Sequence, residues 1–334
     1  MIRQPDLSWG PMVIAFLLLT PSLFAQGSQG TITGTVGDQS GALIPGVRVE
    51  ARHLATSAVV TAVTNESGSY VLPFIPAGLY SITASGAGFK TLVRNGVQLH
   101  ASGRLQLDLE LELGVVSEKV SVSAPVDQLE TATASRGQVL LSDRIRDLPL
   151  VGRNPLSQAM LTAGAYNSES HPATNQRPME SAAPVSLNGM RSIEVLINGM
   201  TNTGTENGGA SNVYLMPSPD AVQELKVQTN VYDAQYGRTG GGYLSLVLKN
   251  GTNNLHGALY HYFRNDVLNA NRFESNSSGT PRDGLLSNTP GVQFDGPVYI
   301  PKLYDGRNRT FFMYSWEAVR VAYPDCGSRK PRSC

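Results

Sequence analysis

The hydrophobic pattern of this chain is that of strands. Its clearest instance is Leu105-Gln106-Leu107-Asp108-Leu109-Glu110-Leu111-Glu112-Leu113, where leucines alternate with polar residues. Wound as a helix, those leucines would scatter round the cylinder; extended, they make one dry face and one wet face. The spacing predicts one strand over residues 105–113. Shorter runs occur at Ile32–Val36, Val47–His53, Val59–Thr64, Tyr70–Leu72 and Leu79–Ala84, parted by clusters such as Asn65-Glu66-Ser67-Gly68 and Ile75-Pro76-Ala77-Gly78. Short strands separated by turn signals predict an all-β sandwich over residues 26–124.

Residues 125–249 carry a different mixture. Ser142-Asp143 is expected to cap a short helix that Leu148-Pro149-Leu150 ends, and Asn154 is expected to cap another ahead of Pro155 at its first position. Asn188-Gly189 and Asn198-Gly199 predict hairpin turns on either side of a strand at Ile193–Ile197. Strands are expected at Val222–Gln228 and Tyr243–Lys249, around a glycine-rich bend at Gly237–Gly242. The polar stretches Tyr166–Ala183 and Met200–Tyr214 lack periodicity and read as loops, either facing a ligand or serving as linkers.

From residue 250 to 324 the strands turn aromatic. After a turn expected at Asn250-Gly251, the Ala258–Phe263 strand puts Tyr260 and Tyr262 on one face and Leu259 and Phe263 on the other. Thr310–Glu317 brings Phe312, Tyr314 and Trp316 together, as an aromatic belt facing lipid requires and as a core-facing soluble strand would also show.

Composition narrows the class. Charged residues are 16% of the 334, with 34 glycines and 20 prolines, which suits turn-rich β-structure. The 26 basic and 26 acidic residues cancel, leaving no global field for nucleic acid. An apolar run, Met12–Leu19, follows Arg3 and precedes Leu23-Phe24-Ala25; it is too short to span a bilayer as a helix and reads as a secretory signal peptide over residues 1–25. The first cysteine is Cys326, and Cys326 and Cys334 fall in a tail, 325–334, that loses the strand pattern.

Candidate chemistry is sparse. Gly237, Gly240, Gly241 and Gly242 are followed by a strand and by no Gly-Lys-Ser/Thr, so a nucleotide cradle is rejected. His256 and His261 fall on opposite faces of one strand and cannot share a metal. No paired acid and base or activated nucleophile emerges, so no catalytic, cofactor or metal residue is assigned and no enzyme is expected.

Particular phrases carry a resemblance. "GTVGDQSGALIPGVRV", "TNESGSY" and "IPAGLYSITASGAGFK" resemble the carboxypeptidase regulatory-like domain, an immunoglobulin-type sandwich also described as a carbohydrate-binding-like fold. "LPLVGRNP", "QELKVQTN", "YGRTGGGY" and "KNGTNNLHG" are similar to the plug and first barrel strands of TonB-dependent outer-membrane receptors of the Oar-like group; "DGPV" and "RTFFMYSWE" fit early barrel strands of the same group. The resemblance implies a mainly β chain: a signal peptide, a regulatory-like sandwich, an α+β plug over 125–249, and the start of an outer-membrane β-barrel over 250–324. It implies location in the outer membrane, uptake of a bulky ligand such as a carbohydrate or peptide, and TonB as energy-transducing partner.

In such receptors a short extended segment adds a strand to TonB. Glu118, Lys119, Val120, Ser121 and Val122 read either as that segment or as the last strand of the sandwich. A plugged transporter needs about 22 strands and residues after Gly251 supply about three, so the chain is expected to be a receptor truncated early in its barrel. The competing class is a secreted carbohydrate-binding or adhesive module without transport.

Overall fold

The computed structural model describes residues 29–114, 119–122, 136–148, 153–167, 185–207, 210–230, 236–237, 239–271, 273–282 and 284–322. The expected signal peptide, Glu118, most of the Tyr166–Ala183 loop and the Cys326–Cys334 tail lie outside them.

The first body is a sandwich of two sheets. One contains β1 (Gly30–Asp38), β4 (Ser69–Ile75), β7 (Arg104–Gln106) and β8 (Leu109–Leu111); the other runs β3 (Val59–Val63), β2 (Arg48–His53), β5 (Gly78–Ser85), β6 (Thr91–Leu99), β9 (Lys119–Val122). Ile32, Val36, Tyr70 and Leu72 from one sheet pack on Val49, Tyr80, Ile82 and Leu99 from the other. The two buried tyrosines keep partners for their hydroxyls: Tyr70 donates to the Leu107 carbonyl at 2.6 Å and Tyr80 to the Pro76 carbonyl at 2.7 Å.

Two expectations are corrected here. Residues 105–113 form not one strand but two, β7 and β8, both parallel to β1. Between them the Asp108 carboxylate takes the Thr35 amide at 2.8 Å in place of a ladder bond, and the chain presses so close that a Cβ on Gly34 would collide with the Leu107 carbonyl. The alternation survives the break, because Leu105, Leu107, Leu109 and Leu111 are all buried, while Leu113 is 73% exposed. Strand β6 was not among the strands expected. Its centre is a bulge: Tyr80 faces Val97 and Ile82 faces Arg94, so Asn95 and Gly96 oppose Ser81 alone, with Gly96 at φ +77°.

The second body is built on a sheet in the order β10 (Arg136–Leu141), β17 (Val222–Asn230), β18 (Tyr243–Leu248), β13 (Glu194–Ile197), β14 (Met200–Thr201). One face, with Leu140, Leu225, Val227, Leu244, Leu246, Val195 and Ile197, packs on Ile145 and Leu156 from two short helical segments. Both Asn-Gly pairs make the expected turns, with positive φ at Asn188, Gly189, Asn198 and Gly199. The helix Ser142–Asp147 begins one residue earlier than expected: Leu141 is its cap residue and supplies no side-chain bond. Asn154 does cap, its Oδ1 accepting from the Leu156 amide at 2.9 Å, but the segment Pro155–Leu161 is a 3₁₀ helix. Met200–Tyr214 is not an irregular loop: it holds β14 and a hairpin of β15 (Thr203–Asn207) and β16 (Ala210–Val213), tied down where Asn202 exchanges two hydrogen bonds with the Leu215 backbone.

The third body is an antiparallel wall, β19 (His256–Asn265), β20 (Leu286–Pro297) and β23 (Phe311–Glu317), with β24 (Arg320–Ala322) continuing along β20. Strand β20 lacks large apolar residues over Asn288–Gln293 apart from Val292, which hid it from the hydrophobic pattern. Asn250-Gly251 forms no turn. Gly251 has no positive φ; what it supplies is room, since a Cβ there would lie 2.5 Å from the Phe312 carbonyl and 2.7 Å from that of Gly296.

The sandwich touches both other bodies. Glu224 on β17, 1% exposed at its side chain, accepts from the Ala101 amide at 2.5 Å and meets His100 Nδ1 at 3.3 Å. Gln223 donates to the Ala77 carbonyl at 3.3 Å, and the Asn253 amide to the Ala55 carbonyl at 3.0 Å.

Candidate functional site between the second body and the wall

The wall has two unlike faces, because side chains alternate along each strand. Leu259, Phe263, Val292, Phe294, Phe312, Tyr314 and Trp316 share one face by register, and most are exposed, Leu259 at 88%. Phe294 stacks with Tyr314 at 5.1 Å between ring centroids and meets Phe312 edge-on at 6.3 Å. In water this stripe would be an aggregation hazard; in lipid it is a solvated surface. The expected grouping of Phe312, Tyr314 and Trp316 is present.

The opposite face carries Tyr260, Tyr262, Gln293, Asp295 and Glu317, and it meets the second body. Arg153 is the centre of that contact. It belongs to the "LPLVGRNP" phrase, four residues of which, 149–152, lie outside the described ones. Arg153 sits at φ +53°, a left-handed conformation that turns its side chain off the line of the following 3₁₀ helix. Its guanidinium bonds Asp220 Oδ2 at 2.5 Å from one side and Glu317 Oε2 at 3.0 Å from the other, and lies over the rings of Tyr262 at 3.9 Å and Tyr260 at 4.8 Å.

Ser218 completes the network. It caps the 3₁₀ segment Pro219–Ala221, which holds Asp220 in place, and its hydroxyl donates to Glu317 at 3.2 Å and lies 3.0 Å from the Tyr260 hydroxyl. The Tyr260 hydroxyl in turn donates to Glu317 at 3.0 Å. The Tyr260 ring fills the space over Gly291 on the next strand, where any side chain would collide with it.

Charge and burial fit a lock. Burial opposes the Arg153 charge most strongly, yet Glu317 and Asp220 outweigh it and hold its pKa above the ordinary arginine value. Lys249, where the chain passes from the second body's sheet to the wall, is pulled below the ordinary lysine value by burial, partly offset by Asp220. A guanidinium between two carboxylates, stacked on two rings, is held by geometry that lysine cannot reproduce. Among the described residues no cluster of three or more His, Cys, Asp or Glu that could hold a metal occurs.

Sequence reading found Tyr260 and Tyr262 and quoted the motif containing Arg153. It did not single out Arg153, Ser218, Asp220 or Glu317, whose partners are far away in the chain. Of the five residues 118–122, Lys119–Val122 form β9, paired parallel to β6 from Thr91 to Arg94. They are the edge of the sandwich sheet.

Comparison with known proteins agrees with this architecture. Residues 31–112 match the carboxypeptidase regulatory-like domain, and residues 247–327 an outer membrane beta barrel domain. The TonB-dependent transporter Oar of Myxococcus xanthus is 28% identical over 310 residues, covering 88% of this chain. The chain spans 28% of that relative's length. Among solved structures, the siderophore receptor PirA from Acinetobacter baumannii is 14% identical at a TM-score of 0.36, over 53% of this chain and 24% of that one. The ferric enterobactin receptor PfeA from Pseudomonas aeruginosa, as a double mutant, is 14% identical at 0.35, over 49% and 22%. The chain is a mainly β protein of the outer membrane, similar to a TonB-dependent transporter, with a carboxypeptidase regulatory-like domain ahead of the five-stranded sheet and the outer-membrane barrel strands.

Proposed function

We propose that this chain serves in energised import across the outer membrane, as the periplasmic sandwich, plug and first wall strands of a receptor for a bulky ligand. The observation that carries the reading is the Arg153 contact, which fastens the second body to the polar face of a wall whose other face is apolar. A plug must be held firmly enough to seal a lumen and yet be released by work. A small set of buried charge-assisted bonds meets both needs, because each is strong in place and is replaced by hydration once water enters.

Partner and ligand follow from the same reading. TonB would take an exposed strand edge, and β9, carrying Lys119, Val120, Ser121 and Val122, offers one as the outermost strand of its sheet. The ligand class is carbohydrate or peptide. No catalytic role is part of this proposal.

Two experiments test it. Cells bearing the receptor gene, with and without TonB, are given labelled oligosaccharides and oligopeptides; TonB-dependent accumulation supports import, and equal accumulation in both strains contradicts it. For the partner, Ser121→Cys is expected to form a disulfide with a cysteine-bearing TonB strand. If only positions outside 118–122 cross-link, the segment is wrong while import stands.

A further inference from the structure

The wall's two connections differ. Residues 266–285 join β19 to β20 at one end, and the shorter 298–310 joins β20 to β23 at the other. The shorter connection lies at the sandwich end: Asn253, bonded to Ala55 of the sandwich, also exchanges bonds with Asn308, at 2.7 Å from its own side-chain amide and 2.7 Å from the Asn308 backbone amide. In outer-membrane barrels the short turns face the periplasm, so 298–310 lies at the inner leaflet.

That connection is not a plain turn. It folds into a small hairpin, β21 (Tyr299–Ile300) against β22 (Tyr304–Asp305), and exposes Tyr299, Ile300, Leu303 and Tyr304, with Leu303 at the tip 81% exposed. Nothing in the fold requires four large apolar or aromatic side chains there. Basic residues flank them: Lys302, Arg307 and Arg309 against Asp305 give 3 − 1 = +2 over 298–310. Arg307 lies over the Tyr299 ring at 5.9 Å. The Tyr304 hydroxyl is 2.6 Å from Thr310 Oγ1, which pins the ring to the hairpin's own base.

We propose that this hairpin is a membrane foot, seated in the headgroup layer of the periplasmic leaflet and fitted to anionic phospholipid. It rests on the reading of the wall as lipid-facing, and it continues that face: Phe294 and Leu255 are exposed, and Phe312 half-buried, immediately beside its base. Tyrosine rings with polar tips, a leucine at the apex and basic side chains that reach back to phosphate are the composition of an interfacial anchor. The foot sets the depth of the first wall strands in the bilayer and holds the sandwich close under it, through Asn253 and Asn308.

The test uses the protein reconstituted in vesicles carrying brominated acyl chains, with tryptophan introduced at Leu303→Trp or at Leu259→Trp and read against the parent. Both positions are expected to show quenching and a blue-shifted emission. Quenching at residue 259 without quenching at residue 303 overturns the foot but leaves the wall, and a blue shift at 303 without quenching assigns the hairpin to a protein contact and overturns it equally. No quenching at either position removes the wall reading and the foot with it. In the Leu303→Trp background, each of Lys302→Glu, Arg307→Glu and Arg309→Glu is expected to weaken binding to phosphatidylglycerol vesicles about fivefold or more. Unchanged binding of all three contradicts the anionic-lipid assignment.

Discussion

Arg153 and Glu317 stand 164 positions apart in the chain and meet at 3.0 Å, joining a loop of the second body to the last residue of a wall strand. Asp220 holds the same guanidinium from the second body's side, so the arginine is oriented by its own body before it reaches the wall. Removing it leaves two carboxylates facing one buried space. Arg153→Ala is expected to destabilise the contact between the second body and the wall by about 3–5 kcal/mol, and Arg153→Lys to recover only part of that. The check is thiol labelling of Ser245→Cys, buried in the second body's sheet: faster labelling in Arg153→Ala is expected, and an unchanged rate contradicts the lock.

The leucine ladder gives a sharper test of the sandwich. Leu109 is buried between the sheets and Leu113 is exposed, though the sequence pattern treats them alike. Leu109→Ala is expected to cost about 2–5 kcal/mol, and Leu109→Asp to unfold the sandwich. Leu113→Asp is expected to stay within about 0.5 kcal/mol of the parent. Thermal melts of all three decide the matter, and equal effects at 109 and 113 would count against the two-strand geometry.

His53 sets a pH dependence. Its ring lies against Tyr80 at 5.0 Å, and burial holds its pKa below the ordinary value, only partly offset by a backbone bond at Ala77. The unfolded chain then binds the proton more readily than the folded one. The stability this group contributes is complete above about pH 6.5 and is lost as pH falls from there toward the lowered folded value. The melting temperature of the sandwich is expected to drop between about pH 7.5 and about pH 5.5. His53→Gln should flatten that drop, and an equal drop in the variant assigns it elsewhere.

Gly251 tests the junction between the second body and the wall. Since a Cβ there meets two carbonyls of the wall, Gly251→Ala is expected to cost about 1–3 kcal/mol through overpacking. Hydrogen exchange at Phe311–Glu317 should rise; no change would mean that the entry strand lies farther from β20 and β23.

What the sequence made legible was local. Alternation marked the leucine face even though a close approach at Gly34 breaks the ladder, and both Asn-Gly pairs, which need two residues at positive φ, fall where turns form. Asn95-Gly96 shows the limit of that logic, because such a pair can make either a turn or a bulge and only the partner strand decides. Asn250-Gly251 misled in the opposite way: the glycine answers to crowding by β20 and β23, which no local window contains. The polar contact was hidden for a like reason. An isolated Arg153, Ser218 or Glu317 carries no signal until the fold brings them together, and the motif resemblance located the arginine's neighbourhood without naming its partner.

The central claim is that β19 separates a polar face, turned to the second body, from a lipid-facing apolar one. Nitroxide labels placed singly at residues 258 to 263 of the membrane-embedded protein, read for collision with oxygen dissolved in lipid and with a water-soluble nickel chelate, measure this directly. High oxygen and low nickel accessibility at 259, 261 and 263, alternating with protection from lipid at 258, 260 and 262, is the expected result. Accessibility without a period of two, or with the tyrosine positions as the lipid-exposed set, would contradict the account.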